Sequence, residues 1–338
     1  MTGVQPYLAT EQLTIGYRSK GLTKVISSNL NLALHPGNLV CLLGSNGSGK
    51  STLMRTLAGL QPALDGNIKI GQKLLAELPP EELARKLSLV LTERIEVGNL
   101  TAREIITLGR TPYTGWLGIL NVQDREKIDE AVSLTHVEDL LEKRAHQLSD
   151  GERQKVMVAR ALAQDTDLIL LDEPTAHLDL PNRIEMMNLL HDLARTTGKA
   201  ILLSTHELDL ALQTADYLWL LKHDGEVSAG VPEDLVLNGS FESAFLKAGF
   251  SFDKMSGTFH VNKQSGPLTV YLEGDELLVS WTKRALKRAG FTLAIIANSH
   301  LKIRAMSENA VLSWEIEGFD KTQTVNSIED LLHTLRQF

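Results

Sequence analysis

Residues 44–51 read Gly-Ser-Asn-Gly-Ser-Gly-Lys-Ser, a fit to G-x-x-x-x-G-K-[ST]. No other stretch constrains the fold as tightly, because such a loop works only between a strand and a helix. The apolar run "LVCLLG" precedes it, and "STLMRTLAGL" follows with helical apolar spacing, stopped by Gly59 and Pro62. The glycines let backbone N–H groups turn inward around a polyphosphate, and the helix adds its positive end. In such a loop Lys50 reaches the β- and γ-phosphates and the Ser51 hydroxyl ligates Mg²⁺.

The remaining composition narrows the class. Lysine plus arginine number 34 against 42 acids, a net charge of −8, which argues against a dedicated nucleic-acid binder. The single cysteine, Cys41, excludes an intramolecular disulfide framework and a cysteine-based zinc cluster. Apolar runs such as "YLWLL" fall far short of the ~18 residues of a membrane span. "MTGVQPYLATEQ" lacks the basic and apolar regions of a secretion signal, so the expectation is a cytoplasmic chain.

Along the chain, residues 9–75 read mostly as strands, with a turn at Pro36-Gly37. From about 79 to 164 the apolar spacing is helical, and "VQDREKIDEAVSLTHVEDLLEKR" reads as one helix. "DLILLDEP" and "KAILLSTH" are buried strands flanking a helix over 181–195, whose face is Ile184, Met187, Leu190 and Ala194. "ELDLALQTA" is a further helix and "DYLWLLKHDGEVSAG" a further strand, so strands and helices alternate as in a parallel sheet covered on both sides. Short helices and an extended piece fill 231–260. After the turn-rich "NKQSGP", strands and two helices, the first over 275–289, make a small α+β unit. No internal repeat or low-complexity segment is visible.

Two further motifs carry chemistry. "DLILLDE" ends a strand in two acids, placing Asp172 to hold Mg²⁺ through water and Glu173 to polarise an attacking water. "LSDGERQKV" contains Ser149-x-x-Glu152, a capping box opening an amphipathic helix, with Gly151 allowing close backbone approach.

In this order and spacing, these motifs resemble those of ATP-binding-cassette (ABC) transporter ATPases, whose signature is normally Leu-Ser-Gly-Gly-Gln. The resemblance covers residues 8 to about 255. It implies an α/β P-loop NTPase cassette with a mixed sheet core, an antiparallel β-subdomain and a helical subdomain over about 93–163. The cassette would occupy 1–260 and the small α+β domain 261–338. It implies ATP and Mg²⁺ as cofactors, with nucleotide contacts from Gly44, Ser45, Asn46, Gly47, Ser48, Gly49, Lys50, Ser51 and Thr52. Tyr17 would stack on adenine and His206 would contact the γ-phosphate. Ser149, Gly151 and Asp179 would face the nucleotide of a partner chain, because two such chains pair head to tail. Metal ligation falls to Ser51 and Asp172, and catalysis to Glu173 and His206.

The sequence departs from the pattern in two places. Asp150 and Glu152 stand where Gly and Gln are usual, and the added acid can weaken phosphate binding. Thr92, followed by Glu93, stands where the family has a Mg²⁺-ligating glutamine that senses the permease. The expectation is that Thr92 acts through water and Glu93 points toward the permease.

The span "NLTAREIITLGRTPYTGWLG" is similar to that of importers for iron–siderophore complexes, haem and vitamin B12. Arg110, Pro112 and Tyr113 would then lie on the surface that receives the permease's coupling helix. The implied partners are a second copy of the chain, an integral permease and, indirectly, an extracytoplasmic binding protein, with no nucleic acid. The implied location is the inner face of the cell membrane. The alternative is a soluble cassette ATPase in iron–sulfur assembly or translation. Lys50 and Ser149 are 149 − 50 = 99 positions apart with no heptad run, which disfavours the coiled-coil repair members. One phosphate loop disfavours the two-cassette translation members, and a small-molecule kinase has no use for the signature helix. In the C-terminal unit His260, His300 and His333 share no ligand spacing. Regulation or self-association is its functional reading and a stabilising extension the bland one.

Overall fold

The structure is a computed structural model that describes residues 5–19, 22–91, 98–245, 250–255, 257–261, 268–294, 301–308, 311–318 and 321–336. It contains two compact units, one formed by residues 1–246 and 254–258, the other by 247–253 and 259–338.

The first unit opens with β1 (Leu8–Ser19), β2 (Leu22–Leu30) and β3 (Ala33–Leu34). β4 (Leu39–Gly44) leads into α1 (Lys50–Leu57). β5 (Asp65–Ile70) and β6 (Lys73–Leu74) return to β1, and the outer sheet runs β2-β1-β5-β6 with antiparallel pairing. After a short α2 (Pro80–Leu83) comes β7 (Leu87–Val90).

The helical portion follows as α3 (Ala102–Thr107), α4 (Val122–Thr135) and α5 (Asp150–Ala163). Each opens on a capping box, Thr101/Glu104, Asn121/Asp124 and Ser149/Glu152, that satisfies N–H groups the first turn leaves orphaned. The helix expected to run through 122–144 ends at Thr135, because His136 adopts the left-handed conformation (φ 54°) and closes the last turn.

β8 (Leu168–Asp172), α6 (Leu180–Thr197), β9 (Ala200–Ser204), α7 (Leu208–Thr214), β10 (Tyr217–Leu221) and β11 (Val227–Gly230) complete the main sheet. Its order is β11-β10-β4-β9-β8-β7, parallel except for the edge strand β11. All residues of β4 and β9 are buried, which explains why their sequences are continuously apolar rather than alternating. The strand expected through 216–230 is instead a hairpin, turned at Gly225 (φ 85°), whose carbonyl accepts from the buried Ser27 hydroxyl. On α6 the buried face is Met186, Met187, Leu190, Leu193 and Ala194, while Ile184 is exposed. α8 (Pro232–Leu237) and α9 (Ser240–Phe245) close the unit, and β12 (Phe250–Asp253) pairs with β13 (Thr258–Val261).

The second unit has a sheet of β14 (Thr269–Gly274), β15 (Thr292–Leu293), β16 (Leu301–Glu308), β17 (Val311–Gly318) and β18 (Lys321–Val325), in order β15-β14-β16-β17-β18. α10 (Glu276–Ala289) and α11 (Ile328–Leu335) pack against it over a core that includes Val270, Leu286, Ile303, Trp314 and Leu331. Among the described residues no helix is long and apolar enough to cross a membrane.

Candidate nucleotide site

The main sheet brings the motifs together. Ser204, the last residue of β9, pairs with Leu42 of β4 on one side and with Asp172 of β8 on the other. The phosphate loop and the paired acids therefore leave the sheet at the same end, where ligands of open α/β sheets bind.

The loop itself is built for close approach. Gly47 (φ 79°) and Gly49 (φ 109°) sit where side chains are strained, and a Cβ on Gly49 would collide with Ile26. Lys50 is buried, its Nζ donating to the Gly44 carbonyl at 2.9 Å and the Ser45 carbonyl at 3.4 Å. Burial lowers its pKa, while the Glu173 and Asp172 carboxylates act in the opposite direction, so both lie within electrostatic reach. The Ser48 hydroxyl is buried without a hydrogen-bond partner, and the first turn of α1 presents orphan N–H groups. An orphaned hydroxyl, a charged ammonium and an open helix N-terminus fit a polyphosphate. Ser51 is exposed beside them, and two oxygen donors, its hydroxyl and the Asp172 carboxylate, suit Mg²⁺.

The acids are held by the backbone around them. Asp172 Oδ1 accepts from the Ser204 hydroxyl at 2.6 Å, and Ser204 Oγ accepts from the Glu173 N–H at 3.0 Å. Glu173 has φ 50° and His177 φ 66°, left-handed conformations that cost energy in residues with a side chain. His206 Nε2 lies 2.6 Å from Glu173 Oε1. The Tyr17 hydroxyl shares a 2.7 Å hydrogen bond with Thr52 of α1, which holds a ring that is 47% exposed beside the loop.

Ser149, Gly151 and Asp179 form a second group. Ser149 Oγ accepts from the Glu152 N–H, and Glu152 accepts from the Ser149 N–H and from Lys143 Nζ, both at 2.8 Å. The Lys143 ammonium and the Ser149 N–H hold the Glu152 carboxyl below its ordinary range. The unexpected acid is thus neutralised inside its own cap. Asp179 caps α6 by accepting from Asn182, and the same Asn182 lies against Gly151, where a Cβ would meet its Oδ1 at 3.1 Å. A Lys155–Glu185 pair at 2.6 Å ties the same two helices.

Some expectations need correction or fall elsewhere. Arg110 is not a surface residue: it is 5% exposed, paired with buried Asp124 at 2.9 Å, donates to the Ala163 carbonyl and lies over the Tyr113 ring. Thr92 and Glu93 lie outside the described residues. Two contacting residues were not anticipated, Ser204 and the hairpin residue His223, whose Nε2 lies 2.9 Å from Ser45 Oγ. Nothing local in the sequence marks either one, since both act through strand order. A cavity of about 860 Å³ lies in the same unit, lined by Leu75, Leu83, Leu89, Leu91 and, among apolar walls, Arg160.

Comparison with known proteins agrees with this architecture. Residues 27–176 match the ABC transporter family and residues 267–336 match the iron ABC transporter C-terminal domain. The probable siderophore transport system ATP-binding protein YusV of Bacillus subtilis is 34% identical over 252 residues, 74% of this chain and 90% of its own. The iron(3+)-hydroxamate import ATP-binding protein FhuC of the same organism is 32% identical over 238 residues, 70% and 87% of the two chains. A solved dimer of the ATP-binding cassette MJ0796, bound to ADP and Pi, superposes with a TM-score of 0.57 at 28% identity, covering 67% of this chain and 98% of that one. The fold is the α/β P-loop cassette with a mixed sheet, a helical subdomain and a small C-terminal domain. The chain belongs to the ATP-binding proteins of ABC transporters.

Proposed function

We propose that this chain is the ATP-hydrolysing subunit that drives import of an iron–siderophore-type complex through a membrane permease. The observation that carries the reading is the convergence of Lys50, Asp172, Glu173 and His206 at one end of the sheet, with Ser149, Gly151 and Asp179 brought together as a second group around Asn182. Such a division suits a site completed by a second copy of the chain. The names of the relatives favour an iron complex over haem or vitamin B12.

In this reading Lys50 and the loop N–H groups bind the β- and γ-phosphates, and Tyr17 offers its ring to the adenine. Ser51 and Asp172 hold Mg²⁺, which when bound neutralises phosphate charge. Glu173 takes the proton of the attacking water, and His206 orients that carboxylate. The partner's copies of Ser149 and Gly151 close over the γ-phosphate. The cavity lined by Leu83, Leu89 and Arg160 seats the permease, a role that the buried Arg110 does not have.

The test is ATPase activity in membranes that hold a candidate iron–siderophore permease together with this chain. Hydrolysis should rise when a binding protein loaded with an iron–siderophore complex is added. Full activity without a membrane partner, and no association with one, would favour the soluble assembly reading instead.

A further inference from the structure

Helix α10 carries a cationic surface on an acidic chain. Its buried side, Leu278, Thr282, Ala285 and Leu286, packs on the C-terminal sheet, with the Thr282 hydroxyl accepting from Trp314 Nε1 at 2.7 Å. The opposite side holds Lys283, Arg284, Lys287 and Arg288, all exposed, in six consecutive positions. Residues 277, 281, 284 and 288 fall on one stripe at helical spacing. Two of them are apolar and open to solvent, Leu277 at 66% and Trp281 at 55% exposure. The Arg284 guanidinium lies over the Trp281 ring, 5.0 Å from its centroid, so apolar and cationic groups form one continuous face.

Complementing the helix dipole accounts for Lys287 and Arg288 in the last turn. It does not account for Lys283 and Arg284 a turn earlier, nor for an exposed tryptophan and leucine beside them. An apolar strip bordered by lysine and arginine matches the boundary between anionic headgroups and acyl chains. The net charge of −8 does not oppose this at short range, because fields beyond about 10 Å are screened at ordinary salt.

We infer that the exposed face of α10 is a docking surface for anionic phospholipid, with Trp281 and Leu277 entering the headgroup layer and Lys283, Arg284 and Lys287 meeting lipid phosphates. This goes beyond the transport reading and does not depend on it.

The experiment uses the full chain and sedimentation with two kinds of vesicle, phosphatidylcholine alone and phosphatidylcholine with about one third phosphatidylglycerol. The chain should sediment with the anionic vesicles only, and binding should weaken between ~50 and ~500 mM salt. Lys283→Gln/Lys287→Gln should lower partitioning by about tenfold or more. Trp281→Ser should lower it several-fold while keeping the salt dependence. All three positions are exposed, so thermal melting should match the parent, and either variant alone suffices for the test. Equal binding to both vesicles, no binding, or unchanged binding in either variant that melts like the parent overturns the inference. So does a short DNA duplex that competes with the anionic vesicles at equal or better affinity, which would assign the face to nucleic acid.

Discussion

His206 Nε2 and Glu173 Oε1 are 2.6 Å apart, although one follows β9 and the other follows β8. The strands are adjacent and parallel, and the Glu173 N–H donates to both the carbonyl and the hydroxyl of Ser204. The carboxylate is thus aimed by backbone pairing on one side and by an imidazole on the other. Glu173→Gln keeps the size and loses the proton-accepting charge. Hydrolysis should fall about 10²-fold or more with ATP binding nearly intact. Two chains should then be held together by unhydrolysed ATP. Sedimentation with ATP and Mg²⁺ that shows only monomer, or near-normal turnover, rejects the assignment.

Ser204 joins the two acids, donating to Asp172 at 2.6 Å while accepting from the Glu173 N–H. Ser204→Ala should leave the strand in place, because its backbone pairing is unchanged. The loss should appear as a several-fold drop in kcat and a raised Mg²⁺ requirement, with little change in nucleotide affinity. Steady-state kinetics at varied Mg²⁺ distinguish this from a general loss of folding.

Local chemistry made much of this site legible. Residues 44–51 announce the loop, and Ser149 with Glu152 announces the start of α5, because glycine positions and capping boxes are short-range devices. What acts through sheet order was not legible: Ser204 bridges strands that are 32 residues apart, and His223 reaches Ser45 from a hairpin turn. Arg110 was misread because a guanidinium beside a proline looks like surface, yet Asp124 fourteen residues on makes its burial tolerable. β18 escaped notice because "KTQTV" is polar but for Val325 and forms the sheet's edge.

The Arg110–Asp124 pair yields a stability prediction. Both side chains are buried, so Arg110→Met strands an unpaired carboxylate and should cost about 3–5 kcal/mol. Replacing both by leucine should recover most of that loss. Burial alone would raise the Asp124 pKa, but the Asn121 N–H and Arg110 more than offset it and hold the carboxyl below its ordinary range. A depressed folded pKa gives stability that is present above about pH 4 and lost as pH falls through the folded value. Urea unfolding at neutral and acid pH should show a shallower acid loss in Asp124→Asn than in the parent.

Cys41 sits in the middle of β4 with no exposure, and burial pushes its thiol pKa well up. The reactive thiolate is therefore scarce and shielded. A thiol reagent at mildly alkaline pH should leave the native chain almost unmodified and label it fully after denaturation. Rapid labelling of the native chain would mean that the strand beside the phosphate loop opens readily.

The last prediction concerns the C-terminal unit. The core beneath the nucleotide site runs from Leu8 to Leu221 and shares no residue with the core around Leu286 and Trp314. Phosphate-site residues all precede position 210 save His223, which the first unit also contains. Deleting residues 262–338 should therefore leave a soluble cassette that binds ATP with the parent's affinity and melts cooperatively. ATPase rate and dimer formation measured on the truncated chain then separate two roles. An unchanged rate assigns the unit no control over hydrolysis, and a changed rate in a folded cassette assigns it a regulatory one. Insolubility of the truncated chain would reject the independence of the two cores.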